Sequence, residues 1–244
     1  MANKSVDAPR RHPSLAEIKS RTLKPVDSWW NIFVIDPVTI RLLWLLVRVL
    51  PRVTPGQVTF ASLLAGLAAA ASFYTGHLIW GALLYQLSFA FDCTDGKLAR
   101  LKGLVTPLGE FWDGFVGLVV YVVCVVGLMF NPAADGAMPL LGLALLALRA
   151  MHMYTNPYLH RPNILTWSHF VAKEGSWLER HRMLPPGSFP DKHAVMFTLG
   201  PITGYVLAGF AVNLVLEVFL LFAKVAKIVR EKQSPGAGNG TPPK

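Results

Sequence analysis

Three aspartates sit where apolar runs begin and end. Asp92-Cys93-Thr94-Asp95-Gly96-Lys97-Leu98-Ala99-Arg100 closes one run, and Gly109-Glu110-Phe111-Trp112-Asp113 opens the next. Ionisable groups at membrane depth are costly unless paired, hydrated or bound to a cation, so such a cluster marks a functional site. Asp92 and Asp95, three apart, share one face of a helix, and Asp113 can face them from the neighbouring helix. Hard oxygen donors in that arrangement suit Mg²⁺ or Mn²⁺, which would offset their mutual repulsion. Gly96 and Ala99 leave room for a ligand to approach the backbone, and Arg100 offers a planar fork of donors matched to phosphate oxygens. Acids, arginine and small residues together describe a diphosphate site. The plainer alternative is that the acids pair with Lys97, Arg100 and Lys102 at the membrane edge.

Positioning such a site requires helices in lipid. The 244 residues are 53% hydrophobic, with a mean hydropathy of +0.43, too apolar for an ordinary soluble domain. Crossing a hydrocarbon layer of about 30 Å takes roughly 20 residues at about 1.5 Å each. Six segments approach that length, at about 57–74, 77–98, 107–130, 138–153, 193–210 and 212–229. Lys and Arg alternate with them. Arg41, Arg48 and Arg52 precede the first; Lys97, Arg100 and Lys102 follow the second; Arg161, Lys173, Arg180, Arg182 and Lys192 follow the fourth; Lys224, Lys227, Arg230 and Lys232 end the sixth. The connections around Gly76, 131–137 and Ala211 carry none, so the basic side is read as cytoplasmic, with both termini and the acidic residues on it. The net charge of +9 therefore speaks for topology rather than for nucleic acid.

The expected fold is all-α, a polytopic bundle of six transmembrane helices in the inner (plasma) membrane, preceded by an interfacial amphipathic helix. Residues 1–28 form a polar, basic segment without a removable signal, so the apolar helices direct insertion themselves. Within the interfacial segment 29–53, a helix over 37–50 starts with Asp36 at its cap and Pro37 in its first turn. Arg41 and Arg48 share one face of it, leucines and valines cover much of the rest, and Trp29, Trp30 and Trp44 help it lie in the interface. The membrane domain covers 54–232, and the Pro-, Gly- and Lys-rich tail 233–244 is expected to be disordered. The connection 155–191 is either a cover for the site or a linker. Cys93 and Cys124 read as small hydrophobes rather than a disulfide framework.

The spacing Asp92-x2-Asp95-Gly96-x2-Ala99-Arg100-x8-Gly109-x3-Asp113 resembles the signature of the CDP-alcohol phosphotransferases, a six-helix membrane family. Upstream, Val53-Thr54-Pro55-Gly56-Gln57-Val58-Thr59 resembles the segment that opens the first helix there, with Gly56 where Asn is usual. The resemblance implies transfer of a phosphate-bearing group from a CDP-linked donor, often CDP-diacylglycerol, to an alcohol, with release of CMP. It implies that Asp92, Asp95 and Asp113 hold Mg²⁺ or Mn²⁺, and that Gly96, Ala99, Arg100 and Gly109 accommodate the CDP part. Pro55 and Thr59 would line the nucleotide pocket, Asp113 would be catalytic, and a homodimer would fit.

One position departs from the pattern. The family places a fourth aspartate one turn beyond the third, where it is thought to complete a second metal and to take the acceptor's proton; here it is Gly117. Losing a general base typically costs about 10²- to 10⁴-fold in rate. The sequence thus leaves an enzyme, or a relative that binds the CDP donor without turnover; a transporter fits less well, because the acids lie at the cytoplasmic end rather than mid-membrane. Glu110 reads as a charge favoured by a helix N-terminus, His152 as a bundle histidine or a substitute base, and His160, His169, His181 and His193 carry no distinguishing signal.

Overall fold

The computed structural model describes residues 13–155, 177–184 and 187–233. The tail beyond Gln233, the connection at 156–176 with His160 and His169, and residues 1–12 lie outside them. Among the described residues the protein is helical throughout apart from turns and one isolated bridge between Asp27 and Met183.

Helix α1 spans Leu15–Thr22, and α2 spans Asp36–Val49. α2 is entered through a π-helical stretch, Asn31–Ile35, so Asp36 lies inside a continuous helical run and caps nothing. Instead it is buried and pairs with Lys97 at 3.0 Å. A buried carboxylate needs a counter-charge more than a helix start needs a cap. Leu43 of α2 and Ile18 of α1 pack with Val58 and Leu98, which ties the N-terminal segment to the bundle.

Three helices follow: α3, Pro55–Tyr74; α4, Leu78–Lys102; and α5, Pro107–Met129. Thr54 and Gln57 form a reciprocal capping box at the start of α3, with Pro55 in the first turn. α4 stops at Gly103, whose φ of +65° only a residue lacking Cβ adopts without strain. Thr106 then caps α5 by accepting from Gly109 N at 3.0 Å. The seam between these helices is made of small residues. Ser62 and Ser88 exchange hydroxyl-to-carbonyl bonds of 2.9 and 2.8 Å, Gly66 lies under Val120, and a Cβ on Gly127 would come 2.5 Å from the Ala70 carbonyl. Close backbone approach through small residues is how helices associate where apolar burial gives no advantage over lipid.

The second half comprises α6, Met138–Thr155, and a short α7, Trp177–Arg180. α8 is a composite of Phe189–Ala194, a π-helical Val195–Leu199 and Gly200–Thr203, and α9 runs Val206–Gln233. The break between the last two segments falls at Gly204, with φ +81°, rather than at Ala211 as the sequence reading placed it. Ala is a strong helix former and α9 runs straight through it, whereas a left-handed glycine ends a helix.

Among the described residues, four helices are long and apolar enough to cross a membrane: α3, α5, α6 and the Val206–Ala226 part of α9. The other two expected spans are helical but do not qualify alone. α4 ends in the charged run from Asp92 to Lys102, and the pieces of α8 together cover only 189–203.

Candidate active site

The capped starts of α3 and α5 and the last turns of α4 come together around a cavity of about 500 Å³. Its lining includes Pro55 and Thr59 from α3, Asp95, Gly96, Ala99 and Arg100 from α4, and Gly109 and Asp113 from α5. Eight of the nine residues singled out from the sequence therefore meet in one space. The ninth, Asp92, lies on the far side of the acidic cluster. There, with Asp113, Gly96 and Arg100, it lines a second cavity of about 110 Å³.

The glycines do what their lack of bulk permits. A Cβ on Gly96 would meet only the end of the Arg100 side chain at 3.5 Å, and one on Gly56 would meet nothing within 4 Å. The large cavity is thus open to a ligand along the backbone of both helices. Arg100 donates through Nε to the Thr22 carbonyl at 3.2 Å, which fixes the guanidinium while leaving its terminal nitrogens for other acceptors.

The carboxylates are held differently from one another. Asp95 is almost fully buried and accepts a 2.5 Å bond from the Thr59 hydroxyl, so Thr59 orients an acid as well as lining the cavity. Asp92 and Asp113 are within hydrogen-bonding reach of each other. Asp113 Oδ1 is nevertheless buried without a partner. Among the described residues no group of three or more His, Cys, Asp or Glu is gathered closely enough to hold a metal ion. What the site offers a hard divalent cation is oxygen chemistry: Asp113 shares one cavity with Asp95 and the other with Asp92, and its Oδ1 lacks a hydrogen-bond donor.

Residues 52–225 match the CDP-alcohol phosphatidyltransferase family. The chain belongs to that family. A stretch of 65 residues is 45% identical to the phosphatidylinositol phosphate synthase of Corynebacterium glutamicum and covers 25% of this chain and 29% of that protein. A stretch of 61 residues is 39% identical to the phosphatidylinositol phosphate synthase of Mycobacteroides abscessus, covering 25% and 28%. The matched stretch thus spans under a third of either relative's length. The fold is shared with the phosphatidylinositol phosphate synthase of Mycobacterium tuberculosis, solved with CDP-DAG bound; the TM-score is 0.60 at 19% identity, over 85% of this chain and all of that one.

Several residues around the family's acidic motif carried no sequence signal. Lys24, in the segment after α1, stands close enough to Asp92 and Asp113 to act on their charge. With Asp27, Asn31 and Asp36 it lines the 110 Å³ cavity. These residues arrive from a part of the chain distant in sequence, so no local spacing announces them. Glu110 is exposed in the first turn of α5 at the cavity's edge, as its helix-terminal reading expects. His152 stands apart: its Nε2 pairs with Glu217 at 2.9 Å, and it lines none of the cavities described here. His181 is exposed and bonds the Trp177 carbonyl through Nδ1.

Proposed function

We propose that this chain is a membrane transferase that moves the phosphate-linked lipid group of a CDP-linked donor, of the CDP-diacylglycerol type, to an alcohol with release of CMP. The observation that carries the reading is the mixed lining of the large cavity. Asp95, Asp113 and Arg100 share its wall with Phe60, Leu63, Trp112 and Val116. Two of its lining residues, Phe60 and Trp112, are more than half exposed, as are Leu108 and Phe111 of α5. An amphiphile with a charged diphosphate head and acyl tails matches that combination of charge and apolar surface.

In this reading Arg100 engages diphosphate oxygens through its free nitrogens, while Gly96, Ala99 and Gly109 let the nucleotide lie against the backbone. Pro55 and Thr59 bound it on the α3 side. Asp92, Asp95 and Asp113 would hold Mg²⁺ or Mn²⁺, which when bound neutralises the diphosphate and stabilises the charge that develops on transfer. Asp113 is the catalytic carboxylate. The bundle crosses the inner membrane six times, with α4 and α8 spanning in the company of the more apolar helices and with both termini and the acids in the cytoplasm. α2 lies in the interface, where its exposed Val38, Leu45 and Val49 meet lipid.

A second reading is favoured by Gly117, which offers neither a carboxylate ligand nor a base: a relative that binds the CDP donor and does not turn it over. CMP release from CDP-diacylglycerol, measured with Mg²⁺ and a pool of alcohol acceptors, separates the two. Metal-dependent release that disappears in Asp113→Ala supports the transferase. Donor binding without release supports the second reading.

A further inference from the structure

The position where the family carries its fourth aspartate does not face empty protein. A Cβ on Gly117 would meet only Asp92 Oδ1, at 3.8 Å. It would project into a cavity of about 40 Å³ whose walls include Asp92, Gly117, Ser88, Tyr85 and His193. His193 reaches this space from α8, a helix far away in sequence. Its Nδ1 is hydrogen-bonded to the Tyr85 hydroxyl at 2.7 Å. Its ring stacks on Tyr121, with centroids 5.0 Å apart and planes 17° apart, and packs against Phe189 at 3.8 Å. The imidazole is buried, fixed on its faces and bonded at one nitrogen. The charged groups beside it are Arg149, Lys192 and Glu217.

We infer that His193 stands in for the missing carboxylate as the proton acceptor for the incoming alcohol. The inference rests on the transferase reading above. Nδ1 and the Tyr85 hydroxyl can each donate to the other; in the tautomer with the proton on Nδ1, Nε2 keeps its lone pair and can accept a proton. A cavity of this size has room for a water, and one bridging water is within the reach allowed to a general base. The alcohol passes its O–H proton to that water as the water passes one to His193 Nε2. The alcohol oxygen forms a bond to the lipid-bearing phosphorus, the bond from that phosphorus to the CMP oxygen breaks, and its electron pair leaves with CMP. The proton on His193 returns to solvent after release. Tyr85 is a positioning residue, holding the ring at Nδ1.

The test compares CMP release and CDP-diacylglycerol binding in the full-length protein, His193→Gln, Gly117→Asp and the double variant, in one detergent with Mg²⁺ and an alcohol pool. His193→Gln is expected to lower kcat about 10²-fold or more, with donor binding unchanged. Adding Gly117→Asp to it is expected to restore most of that loss, because the carboxylate returns to the space His193 faces; a merely structural histidine gives no such rescue. If His193→Gln fails to fold, Tyr85→Phe carries the test, with kcat expected to fall about tenfold as the ring loses its hold at Nδ1 and to recover with Gly117→Asp. Wild-type kcat in His193→Gln, or in Tyr85→Phe where that variant carries the test, overturns the inference, and so does a loss that Gly117→Asp fails to repair. A wild type that binds CDP-diacylglycerol but releases no CMP overturns the inference and leaves the donor-binding reading. A wild type that does not bind it removes the transferase reading and the inference together.

Discussion

The two halves of the bundle are held together by different physics. Helices α3, α4 and α5 meet through small residues and matched hydroxyls: Ser62 against Ser88, Gly66 under Val120, Gly127 against the Ala70 carbonyl. Helices α6, α8 and α9 are joined by buried charge. Glu217 of α9 receives Lys192 of α8 at 2.5 Å and His152 of α6 at 2.9 Å, all three about nine-tenths buried. The first arrangement gives a rigid frame whose acids face a large opening. The second neutralises its acid internally. An aspartate in the first half is thus available to a ligand, whereas Glu217 in the second is consumed by structure, although both are carboxylates in a membrane-embedded chain.

The sharpest way to break this contrast is to remove one acid from each half. Asp113→Ala is expected to lower CMP release by about 10²- to 10⁴-fold while leaving the unfolding midpoint in detergent near that of wild type. Glu217→Ala is expected to act mainly on stability, by about 3–5 kcal/mol, because it strands Lys192 without a counter-charge; Glu217→Gln, which keeps a hydrogen-bond acceptor, should cost less. Chemical denaturation in mixed micelles reads both, and the reverse pattern would mean that the roles of the halves are exchanged.

Smaller changes sharpen the account of the first half. Gly66→Val forces bulk against Val120 and is expected to cost about 1–3 kcal/mol by overpacking, seen as a lowered thermal midpoint. Thr54→Ala removes the capping box of α3 and should cost about 1 kcal/mol, with a matching rise in the KM for donor, because the same turn carries Pro55 and Thr59. Gly56→Asn introduces the residue usual in the family into open space and is expected to leave stability unchanged; a clear loss would show that the mouth of the cavity is more crowded than its geometry indicates.

How much of this was legible in the sequence follows the same division. The acidic cluster was readable because its residues lie on two helix ends separated by a short turn, so linear spacing carries the geometry. Asp92, Asp95, Gly96, Arg100 and Asp113 are where that spacing puts them. Asp36 was misread as a cap because a local rule was applied to a residue whose partner, Lys97, is distant in sequence. The boundary after α8 was misplaced because hydropathy runs unbroken from Val206 to Ala226 and hides the turn at Gly204. The cluster around Glu217 and the approach of His193 to Gly117 left no trace in spacing, since each joins helices that only the folded bundle brings together.

The central claim is that the cavity between α3, α4 and α5 holds the head of a CDP-linked lipid beside a cation on its acids. A structure of the protein with CDP-diacylglycerol and Mn²⁺, recorded at the manganese absorption edge, tests it most directly. The account expects an anomalous peak among Asp92, Asp95 and Asp113, and cytidine density bounded by Pro55, Thr59 and Gly109. Ordinary lipid filling that cavity, with manganese bound elsewhere or not at all, would contradict it.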